Sequence, residues 1–351
     1  MMYPRLLCYV TLLFMVCGSC KNDDIYEQID YHRINYVVDD NINLSFLQGI
    51  LKRTGMDKEL NKDGPFTLLA PSNDAFVKAG ISSAGQAVIL PIDFLEKLSR
   101  YHVLPGYVAL DKLPLKLNQE LSTLGGKIYV THWVKGQDTV ITVNGARILE
   151  PINFGTNNGL VQVINKVLDP TSYMDLNEAM ADNPTVSLFS QAIKIADMGK
   201  LLEGNEIHTV FAPDNNAMKS YGYPTLQSLL TADPAKLKQL IRSHILKDRR
   251  FESDFFLLLP APTVQGTVQI NTSDTPGNPS RTLVQGQYSS TALQMLDGSE
   301  INFLIEKGSY LGVERSEFKL MDKSANRINL QKRDIIANNG ILHVVDRTIK
   351  N

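Results

Sequence analysis

The sequence predicts an α+β protein built from two tandem copies of one domain-sized unit, and three observations carry that prediction. Residues 67–76 read TLLAPSNDAF and residues 209–218 read TVFAPDNNAM, a repeat at an offset of 142 residues. The same offset, without a gap, sets Leu44 on Val186, Lys52 on Lys194, Met56 on Met198, Leu60 on Leu202 and His102 on His244. In each copy helical patterning comes first and strand patterning follows, the order of an α+β unit. An offset of this size is the length of a domain and lies well above the roughly 20–50-residue periods of solenoids and propellers.

The first 40 residues read as an export and anchoring segment. All three cysteines (Cys8, Cys17, Cys20) lie in the first twenty residues, where Arg5, an apolar run from Leu6 to Val16 and the small pair Gly18-Ser19 have the layout of a secretory signal. That run is too short for a hydrocarbon core of about 30 Å, which takes roughly 20 helical residues. The string VCGSC resembles a bacterial lipobox, so residues 1–19 are expected to be a lipoprotein signal and Cys20 the lipid attachment site. The alternative is a signal peptide cut elsewhere. Lys21-Asn22-Asp23-Asp24 resembles an export tag to the outer face of the outer membrane, and the alternative is a plain polar tether facing the periplasm. Residues 20–40 are read as the tether.

The first unit, residues 41–170, opens with an amphipathic helix. Phe46, Leu47, Ile50 and Leu51 form a stripe, and Thr54-Gly55 supplies a stop. Phe66 to Ala70 is a short apolar strand, ended by Pro71 and followed by Ser72, Asn73 and Asp74, whose side chains can cap the next helix. Pro213, Asp214, Asn215 and Asn216 repeat this arrangement. A helix from Ile92 carries Leu95, Leu98 and His102 on one face, matched by Leu237, Leu240, Ile241 and His244. With no second histidine, cysteine or carboxylate pair at ligand spacing, both histidines read as buried residues bonded to backbone, and not as metal ligands or bases. Strands follow: KIYVTHWV at 127–134, then 139–143, then the turns Asn144-Gly145 and Asn158-Gly159 ahead of another apolar run.

A linker at 171–183 leads to the second unit, 184–351, which ends on Asn339-Gly340 and another apolar run. Here the offset is 181, not 142, so the second copy holds 39 extra residues after His244. They are placed in an insertion at about 251–323, whose stretch from Gly266 to Ser290 reads as long polar strands and an exposed loop. Loops of this length are often where binding happens.

Taken together these strings resemble the fasciclin-like (beta-Ig-H3/fasciclin) domain, twice. Pro71, Asn73, Asp74, Pro213 and Asn215 fall in its first signature. His102 and His244 fall in its central Tyr-His, where Ser243 replaces the tyrosine in the second copy. Asn158, Gly159, Asn339, Gly340 and His343 fall in its second signature, where Gln162 replaces the histidine in the first copy. The resemblance implies, in each copy, a β-sandwich-like wedge with helices packed around one end. It also implies an extracellular adhesion or interaction role without catalysis. The Glu150-Pro151-Ile152 segment lacks the aspartate linked to integrin binding in animal members, so that role is not carried over.

Composition adds exclusions. A net charge of −2 and a pI near 6.3 leave no electrostatic footprint for nucleic acid. Lys247, Arg249 and Arg250, interrupted by Asp248, read as a solvated loop. No nucleophile elbow, GxGxxG, HExxH or CxxC is present, so no catalytic residue, cofactor or metal is expected. Asp138-Thr139-Val140 fits a short bacterial O-glycosylation pattern, although a plain hairpin explains it as well. Tyr129 and Trp133 share a strand face and could stack on a sugar, with core packing the alternative. The function expected is a lipid-anchored surface adhesion protein that binds a protein or glycan through the insertion. The alternative is a glycan-binding accessory lipoprotein of a TonB-type uptake system.

Overall fold

Each repeat opens with a short helix that sequence patterning does not reveal. In the computed structural model, which describes residues 32–273 and 280–350, α1 (Ile34–Asp40) precedes the first repeat's expected start. Its counterpart in the second repeat is Leu176–Ala181, 142 residues on. Ile34 and Val38 are buried in the first core, and Leu176, Ala179 and Met180 in the second. The stretches expected as tether (20–40) and linker (171–183) thus each hold a helix packed on a repeat's core. Helices of 7 and 6 residues are too short to show a stripe or to be stable alone. Each is held by a distant side chain, the Ile34 N–H donating to Asn158 Oδ1 and the Leu176 N–H to Asn339 Oδ1, both at 3.0 Å. The signal segment, Cys20 and the loop tip at 274–279 lie outside the described residues.

The first repeat continues with α2 (Ser45–Thr54), α3 (Met56–Glu59), α4 (Asn73–Lys78), α5 (Ala84–Val88) and α6 (Ile92–Tyr101). The second has α7 (Leu176–Ala181), α8 (Ser187–Ile195), α9 (Asn215–Tyr221), α10 (Leu226–Leu230), α11 (Pro234–Arg242) and α12 (Glu252–Leu258). The stripe read on α2 is its buried face, with Leu47, Ile50 and Leu51 in the core, and the helix stops at Gly55, where φ is 72°. That left-handed conformation favours glycine at a helix C-terminus. From α1 to α6, every helix except α3 starts 142 residues before its counterpart among α7 to α11.

The strands of the first repeat are β1 (Phe66–Pro71), β2 (Val103–Pro105), β3 (Lys116–Thr123), β4 (Gly126–Lys135), β5 (Asp138–Val143), β6 (Ala146–Arg147), β7 (Phe154–Thr156) and β8 (Gly159–Ile164). They form two four-stranded sheets, ordered β2-β1-β8-β7 and β3-β4-β5-β6. The second repeat has β9 (His208–Pro213), β10 (Ile245–Lys247), β11 (Val264–Asn271), β12 (Arg281–Gln294), β13 (Glu300–Tyr310), β14 (Val313–Met321), β15 (Arg327–Ala337) and β16 (Gly340–Val345). These make one eight-stranded sheet, β10-β9-β16-β15-β14-β13-β12-β11. The merger runs through β15, which pairs with β14 from Arg327 to Asn329 and with β16 from Leu330 to Ala337, bending at irregularities on either side of Lys332. Such irregularities let one strand turn a corner between two sheets.

The insertion builds its own core. Phe255 of α12 stacks on Phe318 at 4.3 Å and on Phe303 at 5.1 Å, and Phe303 meets Phe211 of β9 at 5.8 Å. The helix thus covers the inner face of the β11–β14 meander and joins it to the repeat's central sheet. From His32 onward the two repeats form one compact unit.

Candidate functional site: the inter-repeat face and the meander

The signature residues tie helices to sheet. Ser72 caps α4 by accepting from the Ala75 N–H at 3.2 Å, and Asp214 caps α9 from the Ala217 N–H at 2.7 Å. Asn73 does something different from the capping expected of it. Its Oδ1 accepts from the Phe46 N–H and its Nδ2 donates to Ile42 O and Ser45 Oγ, clamping α4 to the start of α2. Asn215 makes the same three bonds, to Leu188 N–H, Pro184 O and Ser187 Oγ. Asp74 lies exposed in the first turn of α4, where a negative charge favours the helix. Pro71 and Pro213 end β1 and β9 as buried residues.

Asn158 donates to Leu60 O and Lys62 O while accepting from Ile34, and Asn339 donates to Leu202 O. The glycines that follow are required by contact, since a Cβ on Gly159 would lie 1.9 Å from Phe66 O and one on Gly340 2.1 Å from His208 O. His102 Nδ1 donates to Leu98 O at 2.8 Å and its Nε2 accepts from the Leu168 N–H at 3.1 Å. His244 repeats this with Leu240 O and the Ile349 N–H, and burial pushes both imidazoles down to about 4. His343 is buried, stacked on Phe211 at 5.4 Å, with Nδ1 accepting from the Asp334 N–H and Nε2 donating to Arg250 O. Burial lowers its pKa as well. With every ring nitrogen of these three engaged by backbone, none is placed to bind a ligand.

The repeats meet across a polar and aromatic face that patterning does not disclose. Arg249, read as part of a solvated loop, is buried. Its guanidinium donates to Ala337 O, Gly340 O and Asn338 O at 3.0, 3.0 and 2.7 Å, and it stacks on Tyr129 at 3.7 Å. A planar donor fork suits this convergence of carbonyls, and the aromatic face adds a cation–π contact. Tyr129 is therefore covered by Arg249 and by Phe251, at 6.4 Å, so it cannot form the sugar platform with Trp133.

Asp254 is fully buried beside this pair. It accepts from Asn118 Nδ2 (2.9 Å), Thr131 Oγ1 (3.2 Å) and the Phe251 N–H (2.9 Å), and burial pushes its carboxyl up to about 6. Lys135 donates to Phe256 O and Leu259 O at the end of α12. Asp334 accepts from the Glu252 N–H at 2.8 Å and pairs with Lys166 at 3.3 Å. The start of the insertion, 251–259, is thus spent on docking the repeats. The aspartate reaching back to Phe251 N–H in FESD is half of a capping box, the one local signal that could have located this helix.

The meander's last strand has an edge that is closed by side chains. β11 pairs only with β12, and its opposite edge is met by charged groups from β13, β14 and β15. Arg327 donates to Thr267 O, the Gln269 N–H to Glu306, Lys319 to Gln269 O and the Asn271 N–H to Glu317. Lys319 and Glu306 are themselves buried and paired at 2.6 Å, with Arg327 on the other Glu306 oxygen at 2.6 Å. An unpaired edge is a template for unwanted pairing, and these charges occupy it. The meander's outer end is apolar instead. Leu311, 87% exposed, sits at φ 50° in a two-residue turn with Gly312, between Tyr310 and Val313. Both turn residues have φ > 0, where Asn and Gly are favoured. Leu283 and Val313 are also exposed.

Among the described residues no group of three His, Cys, Asp or Glu could hold a metal ion, and no helix is long and apolar enough to cross a membrane. The sequence profile of the Fasciclin domain matches residues 43–170 and 184–351, both matches beginning downstream of α1 and α7. The transforming growth factor-beta-induced protein ig-h3 of Sus scrofa is 30% identical over 210 residues, covering 60% of this chain and 30% of its own length. Periostin of Homo sapiens is 28% identical over 195 residues, covering 54% of this chain and 21% of its own. The chain spans less than a third of the length of these relatives. Among solved structures, a FAS1 domain pair from the insect cell adhesion molecule Fasciclin I aligns with a TM-score of 0.37 at 19% identity, over 87% of this chain and 96% of that one.

Proposed function

The chain belongs to the fasciclin domain family, and we propose that it is a non-enzymatic binding protein of the cell surface. In this reading lipid on Cys20 tethers it to the outer membrane, and its two coupled repeats present the meander to a protein or glycan partner. The observation that carries the reading is the apolar outer end of the meander, Leu283, Leu311 and Val313, projecting from a scaffold whose other sheet edge is closed by charge. A leucine in a left-handed turn costs folding stability of about 1–2 kcal/mol, so its presence there fits contact with a partner.

The substitution Leu311→Asn separates folding from binding. Asparagine suits the turn, so thermal stability is expected to hold or rise, while binding to partner captured from the native cell surface falls about tenfold or more. Unchanged binding by a well-folded variant would place the contact elsewhere. The membrane anchor is tested separately by Cys20→Ser, which is expected to move the protein from the membrane fraction to the soluble one. The second reading, a glycan-capturing accessory of a TonB-type uptake system, is favoured by a polar cleft between the repeats.

A further inference from the structure

A cleft of about 470 Å³ opens between the inter-repeat segment 166–173, the turn after α7 and strand β15. This is within the roughly 300–1,000 Å³ range of small-molecule sites. Most of its charges are already matched: Lys166 pairs with Asp334 at 3.3 Å and Arg333 with Glu252 at 2.5 Å. Two donors are not. Lys332 has no carboxylate partner among the described residues and touches only Asn183 Oδ1, at 3.3 Å. Asn183 is 6% exposed, and its Nδ2 has no hydrogen-bond partner although its Oδ1 accepts from Thr185. A buried donor left without a partner is destabilising and calls for an acceptor.

The rest of the lining narrows the ligand. Asp182 accepts from the Tyr173 hydroxyl at 2.7 Å, and Asp169 accepts from the Thr171 N–H at 2.8 Å. Both carboxylates keep lone pairs for further donors. Together with Asp334 they oppose a dianion such as phosphate, whereas hydroxyl groups would donate to them. The Tyr173 ring adds an apolar face. We propose that this cleft binds a sugar acid, its carboxylate taken by Lys332 where that side chain meets Asn183, and its hydroxyls taken by Asp169 and Asp182. This goes beyond a surface-adhesion role and uses a different part of the molecule from the meander tip.

Calorimetric titration of the lipid-free chain from His32 onward, the compact unit described above, with D-galacturonate, D-galactose, an amino-acid zwitterion and inorganic phosphate tests the assignment. Galacturonate is expected to bind, galactose at least about tenfold more weakly, and Lys332→Met to remove that preference about tenfold. Lys332 is exposed, so the variant should fold normally, and Leu311→Asn should leave galacturonate binding unchanged. Equal binding of galactose and galacturonate, preference for the zwitterion or for phosphate, a Lys332→Met variant that binds as the wild type does, or no binding at all would each overturn the proposal. Loss of galacturonate binding would not touch the adhesion reading, which Leu311→Asn tests on its own.

Discussion

Neutralising Asp254 should change how the stability of the whole chain responds to pH, and the size of the change follows from its surroundings. The carboxyl is fully buried, and the charged group facing it is Arg250, with Asn118, Thr131 and the Phe251 N–H as neutral donors. Burial outweighs these donors and moves its pKa from 3.8 to about 6. At about 1.4 kcal/mol per unit, ionising Asp254 inside the fold costs roughly 3 kcal/mol at neutral pH. A raised folded pKa means the favourable contribution is complete below about 4 and is lost as pH rises through about 6. His102 and His244 act in the opposite sense. Their pKa is lowered from 6.5 to about 4, so their contribution is complete above 6.5 and is lost as pH falls through 4. The wild-type profile therefore sums opposing slopes, and only a difference profile isolates the aspartate. Urea unfolding of wild type and Asp254→Asn, followed by the fluorescence of Trp133, the single tryptophan, supplies it. The stability of the variant relative to wild type should rise by roughly 2.5 kcal/mol between pH 4 and pH 7. Two parallel profiles would refute the argument, because they would mean that Asp254 titrates no differently in the folded protein.

Two other substitutions test the scaffold by denaturant unfolding. Lys319→Met leaves Glu306 buried with only the partly exposed Arg327 and withdraws the donor to Gln269 O, so it should destabilise by about 3–5 kcal/mol; a change under 1 kcal/mol would show that the meander's charged interior is not under tension. Gly340→Ala drives a Cβ against His208 O and should cost about 3 kcal/mol or prevent folding, whereas Gly85→Ala, with its nearest neighbour at 3.8 Å on exposed α5, should stabilise by about 0.5–1 kcal/mol.

Legibility in the sequence followed the range of the interaction. The stripes of α2, α6 and α11 are set by residues three and four apart, so their existence and buried faces can be read from letters alone. α1 and α7 could not be read that way, because each is held by an asparagine more than a hundred residues downstream. The two asparagines were legible as turn residues and illegible as clamps. Arg249 is the sharper case. A buried arginine and a solvated one share a letter and a charged neighbourhood, and only the fold brings three carbonyls and Tyr129 to it. The cleft was illegible for the same reason, being lined by the inter-repeat segment, a turn and a strand that are up to about 170 residues apart.

The two copies diverge where they touch. Asn153 and Asp334 occupy matching positions, each at positive φ (56° and 58°), and each donates its N–H to the side chain at the matched Gln162 or His343. In the first repeat Asn153 turns inward and donates to Asp111 of its own copy. In the second, the change to aspartate makes an acceptor that reaches Lys166 of the other copy and the Glu252 N–H that starts α12. The same first turn of α12 supplies Asp254, which reaches Asn118 and Thr131, and the adjacent Phe255 anchors the helix in the meander. One short helix therefore links the inter-repeat face to the inserted strands. The insertion is therefore seated on the inter-repeat face through α12.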